Sequence, residues 1–336
     1  MPVSIYKKLS INNTHNDLDQ LQKSVSNNAF LFYNEKKCVK VLYDINKDNL
    51  DLPKPGAIEF ISDEPKIFLK VSTSFYHFVY DFLGTIFYLY EEDKNIKFIL
   101  DIGEARVTKS SANFIEFLET LLKDNDINYE VVDFIGKKDF NMNNFYIKNS
   151  NGINLESANR VFKYLLPYIK NKNILPFRKT YISRRVAEDR KKKFYGNNLK
   201  QLSRSSYSRI DNEETLEDFF KSNGFEVVYP EDFNSFIDQI NYFYECKLVV
   251  SITGGGLTNT IFMKNGSTVV EIMTSLITNY NDRINNIMNL EEGQHHFYHS
   301  IAYQKDHEYI GVVNKNIISN EIVDKFKTMP QLKAIL

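Results

Sequence analysis

The chain has 336 residues and a formal charge of -1, from 42 Lys and Arg against 43 Asp and Glu, so nothing in its electrostatics calls for a nucleic-acid partner. Hydrophobic residues at 43% suffice for the cores of two domains, yet no stretch approaches the roughly 18 apolar residues that a membrane helix needs. Two cysteines, Cys38 and Cys246, are too few for a disulfide framework or a zinc site and read as buried thiols in a reducing compartment.

In chain order, the first residues, MPVSIYKKLSINNTHND, carry no apolar signal core, and the expectation is a cytoplasmic protein. Short β signals follow, AFLFYN, CVKVLYD, GAIEFIS and IFLKVS, close together with polar or Pro/Gly breaks, so the opening should be partly antiparallel. The period then changes. FYHFVYDFLGTIFYLYEED, residues 75–93, has aromatic and aliphatic residues at helical spacing and is long enough for roughly four to five turns. A strand IKFILDI, a helix over 110–124, a strand YEVVDF, the stretch FNMNNFYIK and a helix over 156–169 come next. Alternation of this kind argues for parallel βαβ units.

The polar, proline-bearing KNKNILPFRK, 170–179, reads as a linker, which places a first domain at 1–172 and a second at 178–318. Beyond it the alternation restarts: KTYISRR, ETLEDFFKSNG, FEVVYP, SFIDQINYFYEC, KLVVSI, a glycine loop, LTNTIFMKNG and STVVEIM. Gly224 is placed to terminate the helix before it. The amphipathic segment 319–336 is expected to pack back as a helix, with the first domain as its candidate partner. The fold class is α/β, with two Rossmann-like halves in one chain.

Three consecutive glycines, Gly254, Gly255 and Gly256, follow Thr253 at the end of KLVVSI and precede a helix. Ligands of parallel α/β sheets bind beyond the carboxyl ends of strands. Glycine lets a ligand approach the main chain, and a helix N-terminus favours phosphate. A tight strand–helix turn is the competing reading. The loop is not a Walker A loop, because Leu257-Thr258 follows the last glycine where Lys-Ser/Thr is required, nor a dinucleotide fingerprint, because Asn259 stands where a third glycine belongs. A second cluster, Ser183, Arg184 and Arg185, ends the first strand of the same half, with Arg209 and Asn212-Glu213 farther on. Arginines there can clamp a diphosphate or continue the solvated EDRKKK run.

As an ordered set, Ser183-Arg184, Arg209, Asn212-Glu213, Gly224-Phe225, Pro230-Glu231, Gln239, Gly256-Leu257-Thr258-Asn259 and Glu271 resemble the C-terminal half of glycosyltransferase family 61. In the first half FYHFVYDF resembles the family's aromatic-His-x-x-x-Asp helix start. The resemblance implies the GT-B architecture of two Rossmann-like domains facing a cleft, with the nucleotide donor in the C-terminal half and inversion at the anomeric carbon. It further implies a UDP-sugar or other nucleotide-sugar donor and a glycan acceptor. One departure stands out: where the family has His and Ala in the loop, this chain has Thr253 and Gly255.

On this reading Ser183, Arg184, Arg185, Arg209, Asn212, Glu213, Thr253, Gly254, Gly255, Gly256, Leu257, Thr258, Asn259 and Glu271 bind the donor. Arg184, Arg185 and the loop amides stabilise the leaving diphosphate without a metal or other cofactor. Glu271 either accepts hydrogen bonds from the donor or is a solvated strand end. His77 and Asp81, four apart and so on one helix face, are the candidate catalytic base and its partner, or else core residues of an aromatic helix. The triplets Asp17-Leu18-Asp19 and Asp124-Asn125-Asp126 are poorly placed for metal. HHFYHSIAY, with His295, His296 and His299, reads as a strand. Two alternatives remain beside the transferase: a nucleotide-sugar-binding protein that has lost catalysis, and a UDP-sugar epimerase or hydrolase.

Overall fold

A computed structural model describes residues 6–8, 30–34, 37–41, 66–71, 75–102, 112–132, 146–148, 156–185, 211–274, 297–314 and 318–336. Two units partition the chain, Met1–Tyr164 and Leu165–Leu336, and the division falls ahead of the polar segment 170–179. The strand expected at GAIEFIS lies outside the described residues.

The first unit contains β1 (Tyr6–Lys8), β2 (Phe30–Asn34), β3 (Lys37–Val41), β4 (Lys66–Lys70), β5 (Lys97–Asp101), β6 (Tyr129–Val132) and β7 (Tyr146–Lys148). Its larger sheet has the order β3-β2-β4-β5-β6. There β4, β5 and β6 are parallel, β2 is antiparallel to both neighbours, and β1 pairs antiparallel with β7.

Between β4 and β5 the helix expected over 75–93 forms in two parts, a π-helical segment His77–Leu83 and then α1, Gly84–Glu92. Phe78, Val79, Tyr80, Phe82, Leu83, Ile86, Phe87 and Leu89 are all buried, as an element apolar on nearly every side requires. Two hydroxyls serve carbonyls of the π segment: Ser157 donates to Tyr80 at 2.5 Å, and Thr85 donates to Asp81. A Cβ on Gly84 would stand 1.8 Å from the Ser157 oxygen, so this glycine admits a close approach. Two further helices among the described residues are α2 (Ala112–Asp124) and α3 (Ser157–Leu165); from α3 Arg160 and Lys163 both reach Glu91, at 3.0 and 2.8 Å.

The second unit is built on five parallel strands, β8 (Arg178–Ile182), β9 (Glu226–Val228), β10 (Cys246–Ile252), β11 (Thr268–Thr274) and β12 (Glu308–Asn314). They lie in the order β12-β11-β10-β8-β9. From β8 the chain first moves outward to β9 and then returns to β10 on the other side. The order therefore reverses between β8 and β10, the place where doubly wound sheets bind ligands.

The α-helices of this unit among the described residues are α4 (Glu213–Ser222), α5 (Phe236–Tyr244), α6 (Phe297–Gln304), α7 (Ser319–Thr328) and α8 (Pro330–Lys333). Leu216 and Phe220 of α4 share one core with Ile322, Val323 and Phe326 of α7, over alternate β10 residues Leu248, Val250 and Ile252. Phe220 is its centre, stacked on Tyr181 at 4.7 Å and set edge-on to Phe225 and Phe326 at 5.0 and 5.1 Å. The helix expected within 319–336 thus packs against its own unit. Gly224 has φ 77 just past the end of α4, the left-handed conformation its position predicts.

Two local expectations are corrected. HHFYHSIAY is helical from Phe297 rather than extended, because Tyr298, Ile301 and Ala302 are buried at helical spacing. The helix expected at LTNTIFMKNG is a 3₁₀ helix, Gly255–Phe262, that begins inside the glycines. Its run of β-branched Thr258, Thr260 and Ile261 disfavours an α-helix, and Thr260 donates its hydroxyl to the Leu257 carbonyl at 2.7 Å. Among the described residues no helix is long and apolar enough to cross a membrane.

Candidate functional site

The parallel register brings the carboxyl ends of β8, β10 and β11 side by side, with Ile182 beside Ser251 and Ser251 beside Glu271. The arginine cluster and the glycine loop, some 70 residues apart in sequence, therefore emerge at the same edge of the sheet, on either side of the switch point. They touch. The Arg184 guanidinium donates through Nη1 to the Thr253 carbonyl at 2.7 Å. A Cβ on residue 254 would lie 1.6 Å from that nitrogen, so Gly254 makes room for the arginine. A Cβ on Gly256 would lie 2.9 Å from Cγ2 of Ile182. Both competing readings of the loop thus have a basis: the glycines allow close packing, and they place main-chain amides beside a cation. The first bond of the 3₁₀ helix runs from the Leu257 N–H to the Gly254 carbonyl at 2.9 Å. The N–H groups of Gly255 and Gly256 precede it, at the end of a helix where donors have no intrahelical acceptor.

Helix α4 governs the strand end after β8. Its Glu213 accepts from the Tyr181 hydroxyl at 3.0 Å and from the main-chain N–H of Arg184 at 2.9 Å. One turn later Glu217, fully buried, accepts from the Ser183 hydroxyl at 2.7 Å, from Arg185 Nε and Nη2 at 3.1 and 2.8 Å, and from the Tyr229 hydroxyl at 2.9 Å. Burial pushes the Glu217 carboxyl up, but the bonds from Arg185, Ser183 and Tyr229 outweigh it and hold the group below the usual carboxylate range. Its bonds to Glu217 and then to the Tyr229 hydroxyl raise the guanidinium of Arg185 well above its ordinary value. Burial and then Glu213 hold the Tyr181 phenol far above its ordinary value, so it stays a donor.

The third wall comes from β11 and β12. Glu271 is buried and accepts from the Thr253 hydroxyl at 2.6 Å and from the Tyr309 hydroxyl at 2.7 Å. Of the two sequence readings of Glu271, the solvated strand end does not hold. Asn259 is fully buried; it accepts from the Gln239 amide at 2.6 Å and donates to the Gly256 carbonyl at 2.8 Å, tying the 3₁₀ helix to α5. Leu257 is core, and the buried Thr258 hydroxyl has no hydrogen-bond partner among the described residues. Asn212 is exposed, with φ 38, and its amide donates to Thr215 at 2.9 Å. Arg209, Asp17, Asp19, His295 and His296 lie outside the described residues. Asp124 ends α2 in solvent, and Asp126 occupies the turn after it with φ 53.

In the first unit, His77 and Asp81 form the pair that their spacing predicts: Nδ1 and Oδ2 are 2.6 Å apart, with the imidazole one-third exposed. They sit on the π-helical segment, a geometry frequent at functional sites. Three residues that organise the strand ends, Glu217, Tyr229 and Tyr309, were not singled out from sequence. For Glu217 a signal existed: it lies four residues after Glu213 and between Leu216 and Phe220 on the apolar side of α4.

The comparisons with known proteins bear on this geometry. Residues 75–270 match the model of the family described as Glycosyltransferase 61. The chain belongs to glycosyltransferase family 61. The match starts at the turn that holds His77 and Asp81, crosses both units, and ends beside Glu271 in β11. None of the curated proteins compared with the chain matches it. As a family 61 glycosyltransferase it takes a sugar donor and an acceptor.

Proposed function

We propose that this glycosyltransferase moves a hexosyl or pentosyl group from a nucleoside-diphosphate sugar, with UDP as the first candidate, to a glycan hydroxyl with inversion and without a metal ion. The observation that carries the reading is the Arg184–Thr253 contact at the switch point, which sets a guanidinium beside main-chain amides at a helix start. A diphosphate needs that combination of charge and fixed donors. In the chemical step the acceptor oxygen forms a bond to the anomeric carbon while the bond from that carbon to the diphosphate breaks. The electron pair leaves on the diphosphate, and Arg184 with the Gly255 and Gly256 amides stabilises it. The acceptor proton goes to His77, whose ring is oriented by Asp81. A GT-B arrangement, with the acceptor served by the first unit and the donor by the second, is part of the proposal.

The test is thermal unfolding with and without UDP, in the presence of EDTA. A ligand at about 100 times its Kd stabilises the folded state by roughly 2.7 kcal/mol. The expected result is a clear rise in Tm for the wild type and none for Arg184→Ala. A wild type that ignores every nucleoside diphosphate overturns the reading. A second reading, a protein that binds the donor without turning it over, draws on Thr253, whose hydroxyl is committed to Glu271 and is no base near neutral pH. Tight UDP binding with no product across a broad donor and acceptor panel would favour it.

A further inference from the structure

The two adjacent arginines after β8 have different fates. Arg185 is 43% exposed, yet its fork closes on both oxygens of the fully buried Glu217, so its charge is already compensated. Arg184 is half-buried, and among the described residues its guanidinium meets no carboxylate and donates to the Thr253 carbonyl. The difference originates in α4. Glu217 takes the Ser183 hydroxyl and Arg185, while Glu213, one helical turn earlier, takes the main-chain N–H of Arg184. Ser183 in turn accepts from the main-chain N–H of Arg185 at 3.2 Å, and Tyr229 reaches Glu217 from the end of β9. Residues 183, 184 and 185 are all held, and the residue whose side chain is left over is Arg184.

We infer that Glu217 is a positioning residue for the diphosphate site: by locking Arg185 into the fold it aims the guanidinium of Arg184, which meets no carboxylate among the described residues, across Gly254. Arg185 is then a structural cation and not a second clamp. The tolerance is small, because the Arg184 nitrogen occupies space that any Cβ at residue 254 would fill. A displacement of about 1 Å in such a contact can cost on the order of 100-fold in function.

This inference rests on the diphosphate reading, and the experiment separates the two. UDP binding is measured by calorimetry in the wild type, in Arg184→Lys, and in each combined with Glu217→Gln or Tyr229→Phe. Glu217→Gln keeps the size and removes the charge. Tyr229→Phe removes the hydroxyl that donates to Glu217 and accepts from Arg185, loosening the lock without deleting the ion pair, so it decides the matter if the first variant does not fold. Arg184→Lys keeps charge but not the fork, so it retains measurable affinity. With Arg184 present, Glu217→Gln should weaken UDP by about 10-fold and Tyr229→Phe, which only loosens the lock, by about 3-fold, and both losses should fall below about 2-fold in the Arg184→Lys background, because coupled residues are not additive. Equal losses in both backgrounds would show that Glu217 acts on the fold at large, and no loss in either would make it a bystander; both results overturn the inference. If UDP fails to bind the wild type, the functional reading falls and this inference falls with it.

Discussion

Arg184 and Gly254 share one space: the guanidinium Nη1 lies 1.6 Å from where a Cβ of residue 254 would be. The loop and the strand end are thus shaped to each other, and substitutions in the loop should separate ligand binding from stability.

Gly254→Ala forces the flexible end of Arg184 aside and leaves the backbone little changed. It should fold with a Tm close to that of the wild type and lose most of the UDP-induced shift. Gly256→Ala instead meets Cγ2 of Ile182, at 2.9 Å, inside packed structure. Overpacking of this kind costs about 1–3 kcal/mol, so this variant should lose Tm first and retain the UDP shift. Scanning calorimetry of both variants, with and without UDP, checks the pair.

The His77–Asp81 contact calls for a different readout. His77 is one-third exposed, and replacing it with alanine should cost little stability. Loss of general-base help is worth roughly 10²–10⁴-fold in turnover. His77→Ala and Asp81→Asn should lower kcat within that range while UDP affinity is unchanged. Turnover equal to the wild type would remove both residues from the mechanism.

At the amino end of β12 two buried basic groups give a pH dependence. Burial pushes Lys305 down to about 7, against a smaller opposing effect of Asp306, and pushes His307 down to about 4, against a bond to the Thr260 carbonyl. A lowered pKa means that the unfolded chain binds the proton more readily, so stability rises with pH. For Lys305 that rise spans about pH 7 to its ordinary value of 10.5, and below 7 the full penalty applies. Lys305→Met should therefore raise Tm by several degrees at pH 7 and flatten the slope of Tm between pH 7 and 10. An unchanged slope would refute the assignment.

Phe326 tests the carboxyl-terminal helix. It is fully buried against Phe220, and Phe→Ala in a core costs about 3–5 kcal/mol. Phe326→Ala should lower the denaturant midpoint of the second unit by a corresponding amount. A change below about 1 kcal/mol would mean that α7 is an appendage rather than part of the core.

The sequence by itself determined whatever depends on neighbours a few residues apart. The alternation of strands and helices, the His77–Asp81 pairing at four residues, the terminating Gly224 and the bare glycine loop all follow from local periodicity and backbone chemistry. Only the tertiary structure decided how those pieces are spent. Arg185 finds Glu217 across 32 residues, Thr253 finds Glu271 across 18, and Tyr309 reaches the same carboxylate across 38. Such choices follow from sheet order, because the strand placed beside another determines which strand-end groups meet. In this chain β8 lies next to β10 rather than β9 alone, and that adjacency sets Arg184 against the glycines and leaves Arg185 to the helix.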